Sequence, residues 1–231
     1  GGHGIGGGQT PLGLGLAFAL KYKGLKGCCF CYMGDGAVNQ GAYHESLNLA
    51  ALWKLPVVYV IENNKYSMGT TIDRSSAMRN CLAERADGYG IVWDIANGED
   101  LYEVRAKAHN ALERAHKHSL PTVLEIDTYR YYGHSVADAN AKKYRSPDEI
   151  ERYKAHHDPL RLWQKRLVDE GVMTVEEIEK LDESIKDEAN AAAQFALDSE
   201  FPAPETIFED VYWEVDNNTE AGSTGRHFFG D

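Results

Sequence analysis

The sequence predicts an α/β fold, with a mostly parallel sheet flanked by helices and a helical C-terminal extension. Three observations carry that prediction. Short apolar runs at residues 28–33, 57–61, 91–95 and 122–126 alternate with helical patterns, as strands buried in a parallel sheet do. Glycine-rich or polar stretches follow the strand ends, where a chain turns. After Ser146 the pattern changes to helices with clear start and stop signals.

The chain opens in a glycine-rich loop, residues 1–8 (GGHGIGGG), whose glycines permit left-handed conformations and close backbone approach. Gly2, Gly4 and Gly7 form a G-x-G-x-x-G, but no strand precedes it, as a dinucleotide-binding turn requires. No Met and no signal-peptide pattern comes first, so the natural protein is expected to continue upstream. Residues 11–22 read as a helix with Leu12, Leu16, Ala19 and Leu20 on one face. Strand 28–33, helix 43–55 and strand 57–61 make one parallel unit with a right-handed crossover. Residues 63–74 are a loop, 75–85 a helix and 91–95 a third strand. Residues 99–118 form an amphipathic helix carrying Leu101, Val104, Ala108, Leu112 and Ala115 on one face. His109, His116 and His118 lie along it as solvated residues, because no carboxylate or Cys completes a ligand set. Strand 122–126 leads into a long polar loop, 129–146, of the kind that is usually functional. Ser146-Pro147-Asp148-Glu149 is a capping box with Pro at the first helical position. Asp158-Pro159 and Thr174 start two further helices. In the last, Ile178, Leu181, Ile185, Ala189, Ala192 and Phe195 form a stripe expected to pack in a core or against a subunit. Pro202 and Pro204 end the helices. Residues 206–215 are expected to meet a partner, and 217–231 are polar and glycine-rich. The expected division is a binding domain at 1–145 and a helical extension at 146–231.

Bulk properties narrow the function classes. At 231 residues and 43% hydrophobic, the chain has ample material for a core. No apolar run approaches the ~20 residues of a membrane span. The net charge of −12 argues against a nucleic-acid partner, which needs a basic patch. Cys28, Cys29, Cys31 and Cys81 lack metal-ligand spacing and read as small core residues of a reducing compartment.

The chemistry gathers at Gly34-Asp35-Gly36-Ala37-Val38-Asn39-Gln40 and Glu62-Asn63-Asn64-Lys65-Tyr66. Adjacent parallel strands present their loops at one carboxyl edge, where α/β sheets bind ligands. Asp35 and Asn64 are therefore expected side by side. A carboxylate, an amide oxygen and a nearby backbone carbonyl suit Mg²⁺, with phosphate oxygens completing its octahedron. This points to a metal-bridged diphosphate. His134 follows a strand aimed at the same edge, and its imidazole is suited to donate to a phosphate or move a proton.

The joint pattern resembles the thiamine diphosphate signature, from Gly-Asp-Gly to Asn-Asn across one helix and one strand. GDGAVNQGAYHESLNLAALWKLPVVYVIENNKYSMGT, with Tyr129-Arg130-Tyr131-Tyr132-Gly133-His134-Ser135 and Tyr144-Arg145-Ser146, is similar to the alpha subunits of pyruvate dehydrogenase-type 2-oxoacid dehydrogenases. The resemblance implies a thiamine diphosphate-binding fold and Mg²⁺ held by Asp35, Asn64 and the Tyr66 carbonyl. It implies cofactor contacts from Gly4, Gly6, Asp35, Gly36, Ala37, Asn64, Tyr66 and His134, with His134 also catalytic. At Gly6 the family more often has a branched apolar residue. The implied reaction is oxidative decarboxylation of pyruvate, with the acetyl group passed to a lipoyl arm. The implied partners are a beta subunit in an α₂β₂ assembly, which supplies the glutamate for the cofactor's pyrimidine ring, and a lipoyl-bearing acyltransferase core. The implied location is the bacterial cytoplasm, or the mitochondrial matrix in a eukaryote. Ser135 aligns with a serine phosphorylated in mitochondrial members. The second such position is Lys143 here and the loop is one residue longer, so Ser135 is expected to be unmodified.

Branched-chain 2-oxoacid and acetoin dehydrogenase alpha subunits share this architecture, although Glu62 to Gly69 and Tyr132 to Ser135 look more like the pyruvate type. A nicotinamide dehydrogenase built on the first glycine loop would leave Asp35 and Asn64 unexplained. A non-catalytic scaffold subunit is opposed by the intact Asp35 and Asn64.

Overall fold

The computed structural model describes residues 4–138, 144–209 and 211–220. Gly2 of the first glycine motif, Lys143 and residues 221–231 lie outside that range. The described residues fall into two compact units divided between Val172 and Met173.

In the first unit the four apolar runs form one parallel sheet. Its strands are β1 (Cys29–Gly34), β2 (Val57–Asn63), β5 (Val92–Asn97) and β6 (Thr122–Asp127), in the order β1-β2-β6-β5. A two-stranded antiparallel ribbon, β3 (Tyr66–Ser67) with β4 (Thr70–Thr71), follows β2. Val57 to Ile61 are all buried, as expected of a central strand. The expectation of full burial fails for β1, where Tyr32 is 56% exposed. Tyr32 alternates with the buried Cys31 and Met33 and so lies on the opposite face of β1 from the α1–α2 core.

Helices α1 (Gln9–Tyr22) and α2 (Gly41–Leu52) cover one face of the sheet. There Leu14 and Ala17 meet Cys31 and Met33, while Tyr43, Leu47 and Ala50 join Val57, Tyr59 and Ile61. Close approach of α1 depends on Gly13, where an added Cβ would lie 2.9 Å from both Cβ and Sγ of Cys31. The other face buries Val58, Val60, Leu124 and Ala96 against Ala111 of α4 (Leu101–His118). Asp100 caps α4 by accepting from the Tyr102 and Glu103 amides. Leu47 is fully buried, so Leu47→Ala is expected to lower stability by about 2–5 kcal/mol in urea unfolding.

The helix expected at 75–85 is replaced by other structure. A single turn, α3 (Ile72–Ser75), stops where Ser76 becomes extended, and its hydroxyl donates to the Met78 carbonyl. Serine hydroxyls compete with the backbone in this way. A 3₁₀ segment then begins at Ala83, and the buried Glu125 accepts from the Leu82 and Ala83 amides. The Glu125 carboxylate thus does the work of a cap from a distant strand.

α5 (Pro147–His156) and α6 (Pro159–Asp169) belong to the first unit. Ser146 accepts from the Glu149 amide as expected, but the Glu149 carboxylate accepts from the Tyr129 hydroxyl at 2.9 Å. The reciprocal half of the capping box gives way to this tertiary bond. The second unit contains α7 (Val175–Asp198) and the short α8 (Trp213–Asp216). Thr174 and Glu177 complete the capping box of α7. Leu181, Ile185 and Phe195 on its apolar stripe are more than half exposed in this single chain. Pro202 lies beyond the end of α7, and Pro204 opens a 3₁₀ turn.

Candidate functional site

β1, β2 and β6 end side by side, with Gly34 paired to Glu62 and Asn63 paired to Asp127. The loops that follow these strands line a cavity of about 330 Å³. Its walls include Gly6, Gly36, Ala37, Asp35, Asn64, Tyr66 and His134, so these predicted residues share one space. Gly4 is not among the lining residues. A Cβ at either Gly4 or Gly6 would meet no atom within 4 Å.

Asp35 is 4% exposed. Burial is the largest influence on its carboxyl and raises its pKa, against the weaker pull of backbone amides at Asp35 and Asn64 and of the Arg130 and Lys65 charges. Neither cation forms an ion pair with it. Lys65 pairs with Asp127 at 2.6 Å, and Arg130 donates to the Tyr66, Met68 and Tyr132 carbonyls. No ion pair reaches Asp35 among the described residues. The cavity therefore holds a buried acid with no cation from the described residues bound to it, together with neutral oxygen donors. That donor chemistry fits a hard divalent cation.

The turn after β2 holds Asn64 and Tyr66 in place by local bonds. Asn63 Oδ1 accepts from the Lys65 amide, and Asn64 Oδ1 accepts from the Tyr66 amide. Lys65 sits at φ 70°, a left-handed conformation that these bonds support. The Tyr66 carbonyl receives a long bond of 3.3 Å from Arg130 Nη1, which leaves its second lone pair for another partner.

His134 is exposed on the cavity rim, and its amide donates to Asp138 Oδ2. The same oxygen accepts from the Tyr144 hydroxyl, which in turn accepts from Arg130 Nη2. One network thus ties the His134 loop to the Tyr66 carbonyl.

Sequence reasoning did not single out Arg130 or Arg145 as site residues. Arg145 is 3% exposed, and its guanidinium stands 3.9 Å and 4.5 Å from the Tyr129 and Tyr66 ring centroids. Its Nη2 donates to the Asn64 carbonyl at 2.6 Å, while its Nε and Nη1 have no hydrogen-bond partner among the described residues and Nη1 stands 3.9 Å from Glu149 Oε1. The usable signal was a cation within a tyrosine-rich loop that follows a buried strand at the ligand edge.

The other candidate groups stay apart from this cavity. His109, His116 and His118 are exposed on α4, and no cluster of three His, Cys, Asp or Glu suited to a metal occurs among the described residues. All four cysteines are free, and burial pushes the Cys28 and Cys31 thiols up to about 11 and about 12. No described helix is long and apolar enough to cross a membrane.

The fold and cavity define a parallel α/β protein with an acidic, oxygen-rich site at its carboxyl edge. The family model described as "Dehydrogenase E1 component" matches residues 1–205, and the chain belongs to that family. It is 44% identical over 212 residues to the pyruvate dehydrogenase E1 component subunit alpha of Rickettsia felis, covering 92% of this chain and 64% of that one. The Zymomonas mobilis subunit of the same name is 46% identical over 91% of this chain and 58% of its own length. A mitochondrial testis-specific form from Rattus norvegicus is 39% identical over 92% of this chain and 53% of its own. The chain thus spans about three fifths of the length of its bacterial relatives.

Proposed function

We propose that this chain is the diphosphate-anchoring part of a pyruvate dehydrogenase E1 alpha subunit, acting with thiamine diphosphate and Mg²⁺ on pyruvate. The observation that carries the reading is the convergence of Asp35, Asn64 and Tyr66 on one cavity. Asp35, the Asn64 amide oxygen and the Tyr66 carbonyl would hold Mg²⁺. The backbone at Gly6, Gly36 and Ala37 would lie against the cofactor. When bound, thiamine diphosphate supplies the nucleophilic carbon and electron sink that decarboxylation of a 2-oxoacid needs.

The protein's own part is anchoring and orientation. Asp35 supplies the buried negative charge that retains the cation. The bonds within Asn63–Tyr66 fix the two neutral donors before a ligand arrives, so little ordering is left for binding. His134, on the rim, is placed to donate to a phosphate oxygen or to move a proton at its imidazole. A beta subunit would complete the site, giving an α₂β₂ assembly that passes its acetyl product to a lipoyl-bearing acyltransferase core. The implied compartment is the bacterial cytoplasm, with the mitochondrial matrix the eukaryotic counterpart.

The test is decarboxylation of pyruvate with thiamine diphosphate and Mg²⁺, using the full-length chain with and without its beta subunit. Activity only in the mixture is the expected result. Turnover of a branched 2-oxoacid but not pyruvate would overturn the substrate, and failure to bind cofactor would overturn the site.

A further inference from the structure

A buried acid–amide pair stands directly behind the candidate metal loop. Glu125 lies on β6 opposite Ile61 of β2 and is 1% exposed. Its Oε1 accepts from Asn63 Nδ2 at 2.6 Å, and its Oε2 accepts from the amides of Leu82 and Ala83 at 2.7 and 2.9 Å. Asn63 is fully buried, and its Oδ1 accepts from the Lys65 amide at 3.0 Å. A carboxylate only accepts, so Asn63 must present its NH₂ to Glu125 and its oxygen to Lys65. Donation therefore runs from the left-handed residue Lys65 through Asn63 to Glu125, where it meets the donation from the start of the 3₁₀ segment. Asn64 lies between Asn63 and Lys65, and Tyr66 comes next.

We infer that Glu125 and Asn63 are a positioning pair for the Asn64–Tyr66 loop, setting its geometry through the direction of their hydrogen bonds. The inference rests on the reading of that loop as the cofactor and metal site. Neither side chain lines the cavity, so neither is assigned a direct part in the chemistry. The pair is instead what allows a turn with positive φ at Lys65 to persist without a glycine.

The polarity provides a test that a general structural role would not pass. In Glu125→Gln the amide oxygen can still accept from Leu82 and Ala83, but its NH₂ then faces the Asn63 NH₂. If Asn63 rotates to cure that clash, its NH₂ faces the Lys65 amide instead. One donor is left opposed in either arrangement, and an unsatisfied buried donor is costly. In Asn63→Asp two carboxylates face each other. In the double variant E125Q/N63D the glutamine donates to one aspartate oxygen and the other oxygen accepts from Lys65, so every bond is restored and only the one between positions 125 and 63 is reversed.

The experiment uses the full-length chain assembled with its partner subunit. Hydrogen exchange of the peptide spanning 63–67 is followed without cofactor, and thiamine diphosphate with Mg²⁺ is then titrated. Each single variant is expected to speed exchange in that peptide more than in the rest of the sheet. Each is also expected to weaken cofactor binding by about 10–100-fold, the usual effect of losing an outer-shell partner. The double variant is expected to recover both. Losses in the double variant that equal or exceed the sum of the singles would overturn the inference, as would faster exchange spread evenly over the sheet. If a single variant fails to fold, recovery of folded, cofactor-binding protein in the double variant still supports the pair, and its failure to fold overturns it. Absence of binding in the wild type would instead refute the proposed function, while local exchange without cofactor would still decide the pair.

Discussion

Asp35→Asn is expected to weaken Mg²⁺-dependent binding of thiamine diphosphate by about 100-fold or more, exceeding what outer-shell losses produce. The cofactor-free protein should meanwhile be at least as stable as the wild type. Burial raises the Asp35 pKa, so the folded chain holds that proton more tightly than the unfolded chain does. The resulting contribution to stability is fully present below the ordinary aspartate range, near ~4, and is lost as pH rises through the raised value. At neutral pH the ionised, buried carboxylate is a net cost to the cofactor-free fold. An amide of the same shape carries no such cost. Thermal unfolding across pH checks this: without cofactor, the melting temperature of wild type relative to variant should fall as pH rises above ~4 and then level off. Saturating cofactor and Mg²⁺ should reverse the order at neutral pH, because the wild type gains more binding stabilisation than the variant. A variant that titrates normally with the cofactor would remove Asp35 from the site.

Gly36→Ala is expected to impair the same site by a different route. A Cβ built on Gly36 would lie 2.6 Å from Ser67 Cβ and closer still to Ser67 Oγ. The hydroxyl can rotate away, but the Ser67 Cβ is fixed to the β3–β4 ribbon. That ribbon begins with Tyr66, so relief of the clash must shift the loop that carries a proposed metal ligand. Overpacking of this kind costs about 1–3 kcal/mol. Chemical unfolding and cofactor titration should show the variant both less stable and at least about tenfold weaker in binding, the latter being a shift of ~1.4 kcal/mol. The double variant G36A/S67G should recover most of both losses. With Oγ and Cβ gone, the nearest remaining Ser67 atom is the Cα at 3.6 Å, an ordinary contact. If the second substitution gives no recovery, the Ser67 contact is not the reason glycine occupies position 36.

Features that depend on local pattern were legible in the sequence. The apolar runs gave four strands, and the parallel arrangement placed Asp35 near Asn64 because neighbouring strands end together. Caps at Asp158 and Thr174 were also readable, since their partners lie within three residues. Features with distant partners were not. Glu125 sits in the apolar run Thr122–Asp127 and looks like an edge interruption until the Leu82 and Ala83 amides are found against it. The same long-range bonds explain why residues 75–85 do not form the expected helix. Arg145 gave no local sign of burial, because the two tyrosines beside it, Tyr129 and Tyr66, lie 16 and 79 positions earlier. Glu149 was read as a capping partner, but it serves Tyr129, 20 positions away.

The strand order carries a consequence for how the chain acquires its structure. β6 is the last strand of the sheet in sequence, yet it lies between β2 and β5. Among the described strands β5 has no partner until β6 arrives, and β2 keeps one open edge that already ends in the Asn63–Asn64 turn. The β1–β2 pair can form early from contacts close in sequence, whereas closure of the sheet waits on residues up to Asp127, across the larger loop-closure entropy of non-local pairing. The part of the candidate cavity that follows β6 can therefore join the loops after β1 and β2 only once β6 has paired with β2. The strand that zips the sheet shut also delivers Arg130 and His134 to the mouth of the cavity.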